Sequence, residues 1–389
     1  MKAMICEAEW APRPGYVLSE REKRERRASN GNQVWKNPKL SVKEIPTPKI
    51  MTPKDVIIKV KVCAVCGSDV HMMETDEDGY IKLAYNTKFP CALGHEFSGE
   101  VLEIGSEVKR VKVGDMVSIE EINWCANCAA CSEGYPNQCQ NIEDFGFTIN
   151  GAFAEYLVSN ERYIWKLNSV MEAYQDKNKV FEAGALVEPT SVSYEGLFTR
   201  GGGIRPGGHV AVFGTGPIGL AAVALAKTSG AAKIIAFEIS DVRRKLAREM
   251  GADYVYDPQE LKKLKTTMAQ AIMDATDGAG AHVLVEATGA STIVMPEIEK
   301  ALEHGAKVII LGITPNPAPV SLVSYQVRGA RIIGSSGHCG DFQRVINLMA
   351  SKRIDMTRII TSRFSLDNAV EAIKQTAKAV DGKVLVKPA

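Results

Sequence analysis

Residues 209–229 read HVAVFGTGPIGLAAVALAKTS. His209–Phe213 is an apolar run of strand length, Gly214-Thr-Gly216-Pro-Ile-Gly219 is a G-x-G-x-x-G turn, and Ile218–Ser229 has helical character. In such a turn the first glycine permits the tight bend, the second lets the backbone approach a pyrophosphate, and the third lets helix pack on strand. Pro217 and Ile218 open the helix, whose N-terminal N–H groups and positive dipole end suit phosphate. Glycines also cluster in ordinary turns, so the context decides. Lys233–Phe237 is a second strand, and Glu238 ends it 19 residues after Gly219. An acid there accepts hydrogen bonds from a ribose diol. Its charge repels a 2′-phosphate, so NAD is expected over NADP. Arg243 is near enough in sequence to accommodate that phosphate.

Working outward, the alternation continues with a helix at Val242–Met250 and strands at Val283–Glu286 and Lys307–Leu311. Strands alternating with helices predict a doubly wound parallel sheet. Upstream the texture differs. Val56–Val62, Ser98–Ile104 and Met116–Ile119 are short apolar runs between Gly, Pro and charged turns, which predicts a mainly β domain. Downstream, a helical stretch at Asp341–Ser351 precedes a final strand, Lys383–Lys387. The α/β chain is therefore divided into a first, mainly β part over 1–190, a dinucleotide-binding domain over 191–333, and a last part over 334–389. The stretch from Pro12 to Pro38 interrupts the β pattern, and its charged core Glu20–Arg27 reads as a solvated helix or exposed loop.

The bulk numbers narrow the function classes. The 389 residues carry 47 Lys+Arg against 46 Asp+Glu, a net charge of +1. No global pull toward nucleic acid or membrane follows from that balance. Met1–Trp10 carries Lys2, Glu7 and Glu9 and does not resemble a secretory signal. The nine cysteines are odd in number and clustered, which points to metal in a reducing, cytoplasmic setting rather than to disulfides.

Cys125-x2-Cys128-x2-Cys131-x7-Cys139 places four thiols in one short loop. Four soft ligands with no open position describe a structural tetrahedral zinc. A zinc module that binds nucleic acid has the same look, but no basic cluster flanks this one. A second set is dispersed: Cys66-Gly-Ser68-Asp69-Val-His71, Gly94-His95-Glu96, and Glu188-Pro189. Cys66, His95 and a carboxylate would give the mixed, open set of a catalytic zinc. Each also reads as an ordinary core thiol, turn histidine or surface acid, and Cys63 with Cys66 could form a redox pair.

Taken in order, C-G-S-D-V-H, G-H-E-F-S-G-E-V, the four-cysteine lobe, L-V-E-P and G-T-G-P-I-G resemble the zinc-containing medium-chain dehydrogenase/reductase family. The polyol branch, with sorbitol and threonine dehydrogenases, is most similar. With its N-terminal insertion included, the chain also resembles the cyclitol dehydrogenases of inositol catabolism. The resemblance implies a GroES-like catalytic domain from both chain ends, a Rossmann domain between them, and oxidation of a secondary alcohol of a polyol or cyclitol. It places a catalytic zinc on Cys66 and His95, with Glu96 and Glu188 as carboxylate positions. Successive strand residues point to opposite faces, so His95 and Glu96 can share a metal only if the backbone bends. It further implies that Asp69 orients the metal-binding histidine, Ser68 takes the substrate proton and His71 ends the relay. Thr288, Leu311, Gly312 and Ile313 fall where the family contacts the nicotinamide side. A homo-oligomer, dimer or tetramer, is expected. Rival readings are a zinc-free enone reductase and a zinc- and nucleotide-binding redox sensor.

Overall fold

The computed structural model describes residues 1–314 and 316–388. The chain forms two compact units. One comprises Met1–Glu188, Ile360–Lys378 and the segment from Lys383 onward; the other comprises Pro189–Ile359 and Ala379–Gly382. The return to the first unit therefore lies at Ile360, later than residue 334. Arg331–Gly334 still pairs in the parallel sheet of the second unit, and Phe342, Val345, Ile346 and Met349 bury one face of the next helix.

The first unit is built on a seven-stranded sheet. Its order runs Ile164–Lys166, Met116–Ile119, Glu96–Ile104, Asp55–Ala64, Lys383–Lys387, Ile360–Ser365, with Tyr156–Asn160 also paired to Asp55–Ala64. Strand Asp55–Ala64 is central because Val56, Ile58, Val60 and Val62 are all buried. The C-terminal strand joins it antiparallel, setting Val386 opposite Cys63 and Leu385 opposite Ala64. A smaller sheet pairs Lys2–Trp10 with Trp35–Glu44 and Cys91–Ala92.

The charged N-terminal segment forms a helix with a solvated face, on which Glu20, Lys23, Arg24 and Arg26 are exposed, and turns two of its charges inward. Ser19 caps the helix Glu20–Glu25 in a capping box, but Glu22 is only 3% exposed and Arg27 6%. Glu22 accepts hydrogen bonds from Ser19 N, Ser19 Oγ, Ser29 N and Tyr16 Oη. Those donors outweigh its burial and hold its carboxyl below the usual range. A buried charge needs such pairing, and the segment folds around it.

The second unit carries a six-stranded parallel sheet in the order Tyr254–Tyr256, Lys233–Phe237, His209–Phe213, Ala281–Glu286, Leu302–Ile310, Arg331–Gly334. This is the doubly wound order, with its reversal between His209–Phe213 and Ala281–Glu286. Val210, Ala211, Val212 and Phe213 have no exposed surface, as expected of a strand covered on both faces. Burial of each large apolar side chain contributes about 1.5–3 kcal/mol. The helix Pro217–Thr228 packs its Leu220–Ala226 run inward, and Ser240 and Gly251 cap the helix Asp241–Met250. The fifth strand ends at Ile310 rather than Leu311, where Leu311 N makes the last ladder bond, to Glu286 O.

Among the described residues no helix is long and apolar enough to cross a membrane. Gly219 shows what its turn demands: a Cβ there would lie 1.9 Å from the Gly214 carbonyl oxygen. The oxygen belongs to the backbone and the position of a Cβ is fixed by it, so neither can rotate away. Gly219→Ala should therefore cost about 3 kcal/mol, at the upper end for overpacking. Urea unfolding would check this, and an unchanged midpoint would contradict it.

Candidate active site

The dispersed donors do converge. One ligand atom from each of Cys66, His95 and Glu96 comes within 4.8 Å of the others. Cys66 sits at the N-terminus of the helix Gly67–Met73, and His95 and Glu96 lie where the strand Glu96–Ile104 begins. The required bend is at Gly94, which has φ +90°. A Cβ there would lie 2.7 Å from Cys63 Sγ and 2.9 Å from the Phe153 ring. Only glycine fits, and the turn lets neighbouring side chains face one point.

Asp69 has no exposed surface. Its Oδ2 accepts from Cys66 N at 2.9 Å and its Oδ1 from Gly94 N at 3.3 Å. One carboxylate thus ties together the backbones of two metal-donor segments. Its Oδ1 lies 3.8 Å from His95 Nδ1, an ion-pair separation rather than a hydrogen bond. Burial opposes charge on His95, but Asp69, Cys66 and Glu188 outweigh it and raise the imidazole well above its usual value. The same negative field suits a divalent cation. Ser68 Oγ is 3.4 Å from His95 Nε2. His71 follows one turn later on the same helix face and is exposed.

Lys383 escaped the sequence reading. It is 2% exposed, and its Nζ lies 2.6 Å from Glu96 Oε1 and 2.5 Å from Glu96 Oε2. Burial works against the ammonium, yet Glu96 first, then Cys66 and Glu188, raise its pKa. Glu96 is thus shared between an ammonium and the donor cluster. Glu188, on the helix Val187–Tyr194, is buried and acts on both His95 and Lys383 through its charge. The only local signal for Lys383 was a lysine opening an apolar strand.

Cys125, Cys128, Cys131 and Cys139 likewise gather within 4.8 Å. Zinc–sulfur bonds of about 2.3 Å at the tetrahedral angle put sulfurs about 3.8 Å apart. Cys128 Sγ and Cys139 Sγ are separated by 3.8 Å, far beyond the roughly 2.05 Å of a disulfide. Backbone N–H groups of Cys125, Gln140 and Asn141 point at the sulfurs. A hydrogen bond from Asn127 N leads the lowering of Cys125 to about 6, whereas burial outweighs the N–H donors at Cys139 and pushes it up to about 12. The donor sets fit two zinc ions, one enclosed by four thiolates and one with room for a further ligand. Cys63, by contrast, is fully buried, and desolvation pushes its thiol well up. That makes it a poor partner for a redox switch with Cys66.

In the second unit, Gly214 has φ +82° and closes the turn, whereas a Cβ on Gly216 would meet only Arg243 Nη1, at 3.8 Å. Gly216 is therefore not demanded by internal crowding; its bare backbone leaves space under a guanidinium. Arg243 is tethered by its Nε to Asp381 O at 2.7 Å. Glu238 Oε2 accepts from Thr215 N at 2.8 Å and Oε1 from Ser240 N at 2.9 Å. Pro217 and Ile218 open the helix as expected. Thr288 and Gly289 follow the fourth strand, and Leu311, Gly312 and Ile313 the fifth. A second acid joins these loops. Glu286 has no exposed surface. Its Oε1 accepts from Thr288 N, Thr288 Oγ1 and Gly289 N, while its backbone oxygen accepts from Leu311 N and Gly312 N. Its place at the end of a strand was visible in the sequence; its role in holding two loops was not.

With this geometry in hand, comparison with known proteins gives the class. The chain matches the alcohol dehydrogenase GroES-like domain over residues 52–169 and the zinc-binding dehydrogenase family over 217–351. It belongs to the zinc-binding alcohol dehydrogenases, with a GroES-like and a Rossmann-type domain. It is 45% identical to scyllo-inosose 3-dehydrogenase of Thermotoga maritima, with 98% of each chain covered. It is 35% identical to L-threonine 3-dehydrogenase of Caldanaerobacter subterraneus subsp. tengcongensis, covering 89% of this chain and 94% of that one. A solved Thermotoga maritima structure assigned to the alcohol dehydrogenases superposes with a TM-score of 0.94 at 44% identity, over all of both chains.

The two donor sets should fail differently. Cys66→Ser should remove about one zinc per chain and leave the thermal midpoint nearly unchanged. Cys128→Ser should remove the other zinc and destabilise the fold, because metal binding to an enclosed site is folding free energy. Zinc analysis paired with calorimetry checks both; equal destabilisation would contradict the division.

Proposed function

We propose that this dehydrogenase oxidises a secondary alcohol of a cyclitol, scyllo-inosose, to a ketone with NAD as hydride acceptor. The observation that carries the chemistry is the convergence of Cys66, His95 and Glu96 within 4.8 Å, with Ser68 Oγ beside His95. The substrate rests on the relative of 45% identity, which exceeds the 35% of the threonine enzyme. Threonine, sorbitol and 2,3-butanediol are the alternatives within the family.

The first unit serves as the catalytic domain and the second binds NAD. When bound, zinc supplies Lewis acidity that eases loss of the alcohol proton, and nicotinamide accepts the hydride. Cys66 and His95 hold that zinc, with Glu96 and Glu188 as its carboxylates. Cys125, Cys128, Cys131 and Cys139 hold the second ion. Ser68 takes the alcohol proton at Oγ and His71 hands it to solvent. Asp69 fixes the histidine by tying Gly94 N, just before it, to Cys66 N. Gly214, Gly216, Pro217, Ile218 and Gly219 receive the pyrophosphate, with Arg243 above Gly216. Glu238 receives the ribose diol. Thr288, Leu311, Gly312 and Ile313 line the nicotinamide side.

The enzyme works in the cytoplasm as a homo-oligomer. Leu322, Val323, Val327 and Ile332 expose apolar surface on and just before Arg331–Gly334, the edge strand among the described residues, and a second copy would cover it.

Initial rates on a panel of inososes, inositols, sorbitol, threonine and 2,3-butanediol, with NAD and NADP, test this reading. The expected result is the highest kcat/KM with scyllo-inosose and NAD, loss of activity in chelator, and background rates for Cys66→Ser. A higher kcat/KM on threonine would overturn the substrate, and equal rates with NADP the cofactor preference.

A further inference from the structure

We infer that the Pro12–Pro38 insertion is a brace for the metal-binding histidine, with Arg27 and Tyr85 as its positioning residues. The inference rests on the zinc dehydrogenase reading and extends it to a segment that lies outside the matched family domains. The insertion first grips the loop that follows the Gly67–Met73 helix. Ala28 and Thr87 exchange both backbone hydrogen bonds at 2.9 Å, and Gly31 N donates to Tyr85 O at 2.9 Å. A Cβ on Gly31 would lie 2.6 Å from Thr87 Oγ1 and 2.9 Å from Leu83 O. The two segments therefore meet at backbone distance.

From there two polar arms reach the segment Glu143–Phe147. Arg27, almost fully buried, donates from Nη1 to Glu143 Oε1 at 2.6 Å and from Nη2 to Ile142 O. Tyr85 Oη donates to Asp144 Oδ2 at 2.9 Å. Asp144 is 1% exposed, and its other oxygen accepts no hydrogen bond among the described residues. The phenol is thus the side-chain donor on which the carboxyl's position depends. Asp144 in turn organises the following turn, since its carbonyl accepts from Phe147 N and Thr148 N at 3.2 and 3.0 Å.

That turn bears directly on His95. The Phe147 ring lies 4.7 Å from the imidazole, centroid to centroid, and also packs on Tyr85. A Cβ on Gly146 would lie 2.9 Å from Gly94 N, so the turn presses on the backbone bend that aims the histidine. Close-packed interiors transmit small displacements. A shift at Glu143 or Asp144 therefore arrives at the imidazole as a change of angle.

The test uses the full-length enzyme with Arg27→Ala, Arg27→Lys and Tyr85→Phe. Arg21→Ala is the control, because the side-chain hydrogen bonds of Arg21 among the described residues go to the Gln140 carbonyl and to its helix neighbour Glu25. Each protein is assayed with zinc and examined by visible absorption after cobalt exchange. Arg27→Ala and Tyr85→Phe should each lower kcat about tenfold, the loss typical when the support of a metal ligand is removed. KM for NAD should not move, the cobalt bands should shift, and Arg27→Lys should recover most of the rate. Arg21→Ala should match the wild type. Wild-type kcat and unshifted bands in both Arg27→Ala and Tyr85→Phe would sink the brace, as would equal losses in Arg21→Ala. A wild-type enzyme inactive on every alcohol would instead overturn the functional reading, and the cobalt bands would still test the brace.

Discussion

The catalytic cluster depends on one backbone torsion. At φ +90° Gly94 turns the chain, so that His95 and Glu96 contribute to the same group of donors. In a regular strand those side chains would point to opposite faces, and no metal could hold both. The constraint is steric as well as torsional, because Cys63 Sγ and the Phe153 ring occupy the space that a Cβ needs. The surroundings are shaped to the same bend. Asp69 holds Gly94 N, Ala152 N donates to Gly94 O, and a Cβ on Gly151 would lie 2.1 Å from that oxygen. A clamp of glycines and a buried acid fixes the histidine before any ion is considered.

The second constraint is electrostatic. Glu96 and Lys383 form an ion pair with 1% and 2% of their side chains exposed. Burying both charges costs solvation that their attraction only partly returns, so such a pair is weak evidence of added stability. Removing one partner is another matter, at about 3–5 kcal/mol, because a charge is left unpaired. The pair joins the first strand after the metal histidine to the last strand of the chain, 287 residues away. It therefore makes the integrity of the donor cluster conditional on docking of the C-terminal strand.

What could be read from the sequence was what is local. The four cysteines fall within fifteen residues and declare their chemistry by spacing alone. The glycine turn and Glu238 were legible because a strand, a turn and a helix are contiguous. The dispersed donors Cys66, His95 and a carboxylate could be offered from residue type, but which carboxylates join them came only through resemblance, since spacing gives no reason for Cys66 to meet His95. Lys383, Glu286 and the Arg27–Glu143 contact were hidden for the same reason: each acts across a long loop or between strands whose register the sequence does not state. The insertion was legible in part. Its charge density suggests a solvated face, yet Glu22 and Arg27 are buried, and their partners, from Tyr16 to Glu143, are visible only in the folded chain.

The two donor sets show how that difference in sequence range becomes a difference in role. The thiolates of the cysteine lobe receive N–H groups from their own loop, so the site is organised locally and an ion completes a small fold. Cys66, His95 and Glu96 come from separate elements, and Asp69, Lys383, Phe147 and the glycines around residue 94 pack against them. Such a site can keep a position open, because its geometry is held by the protein rather than by the ion alone. The cost is that its geometry is exposed to distant changes. On the proposed brace, a contact as remote as that between Arg27 and Glu143, 116 residues apart in sequence, becomes part of how the histidine is aimed.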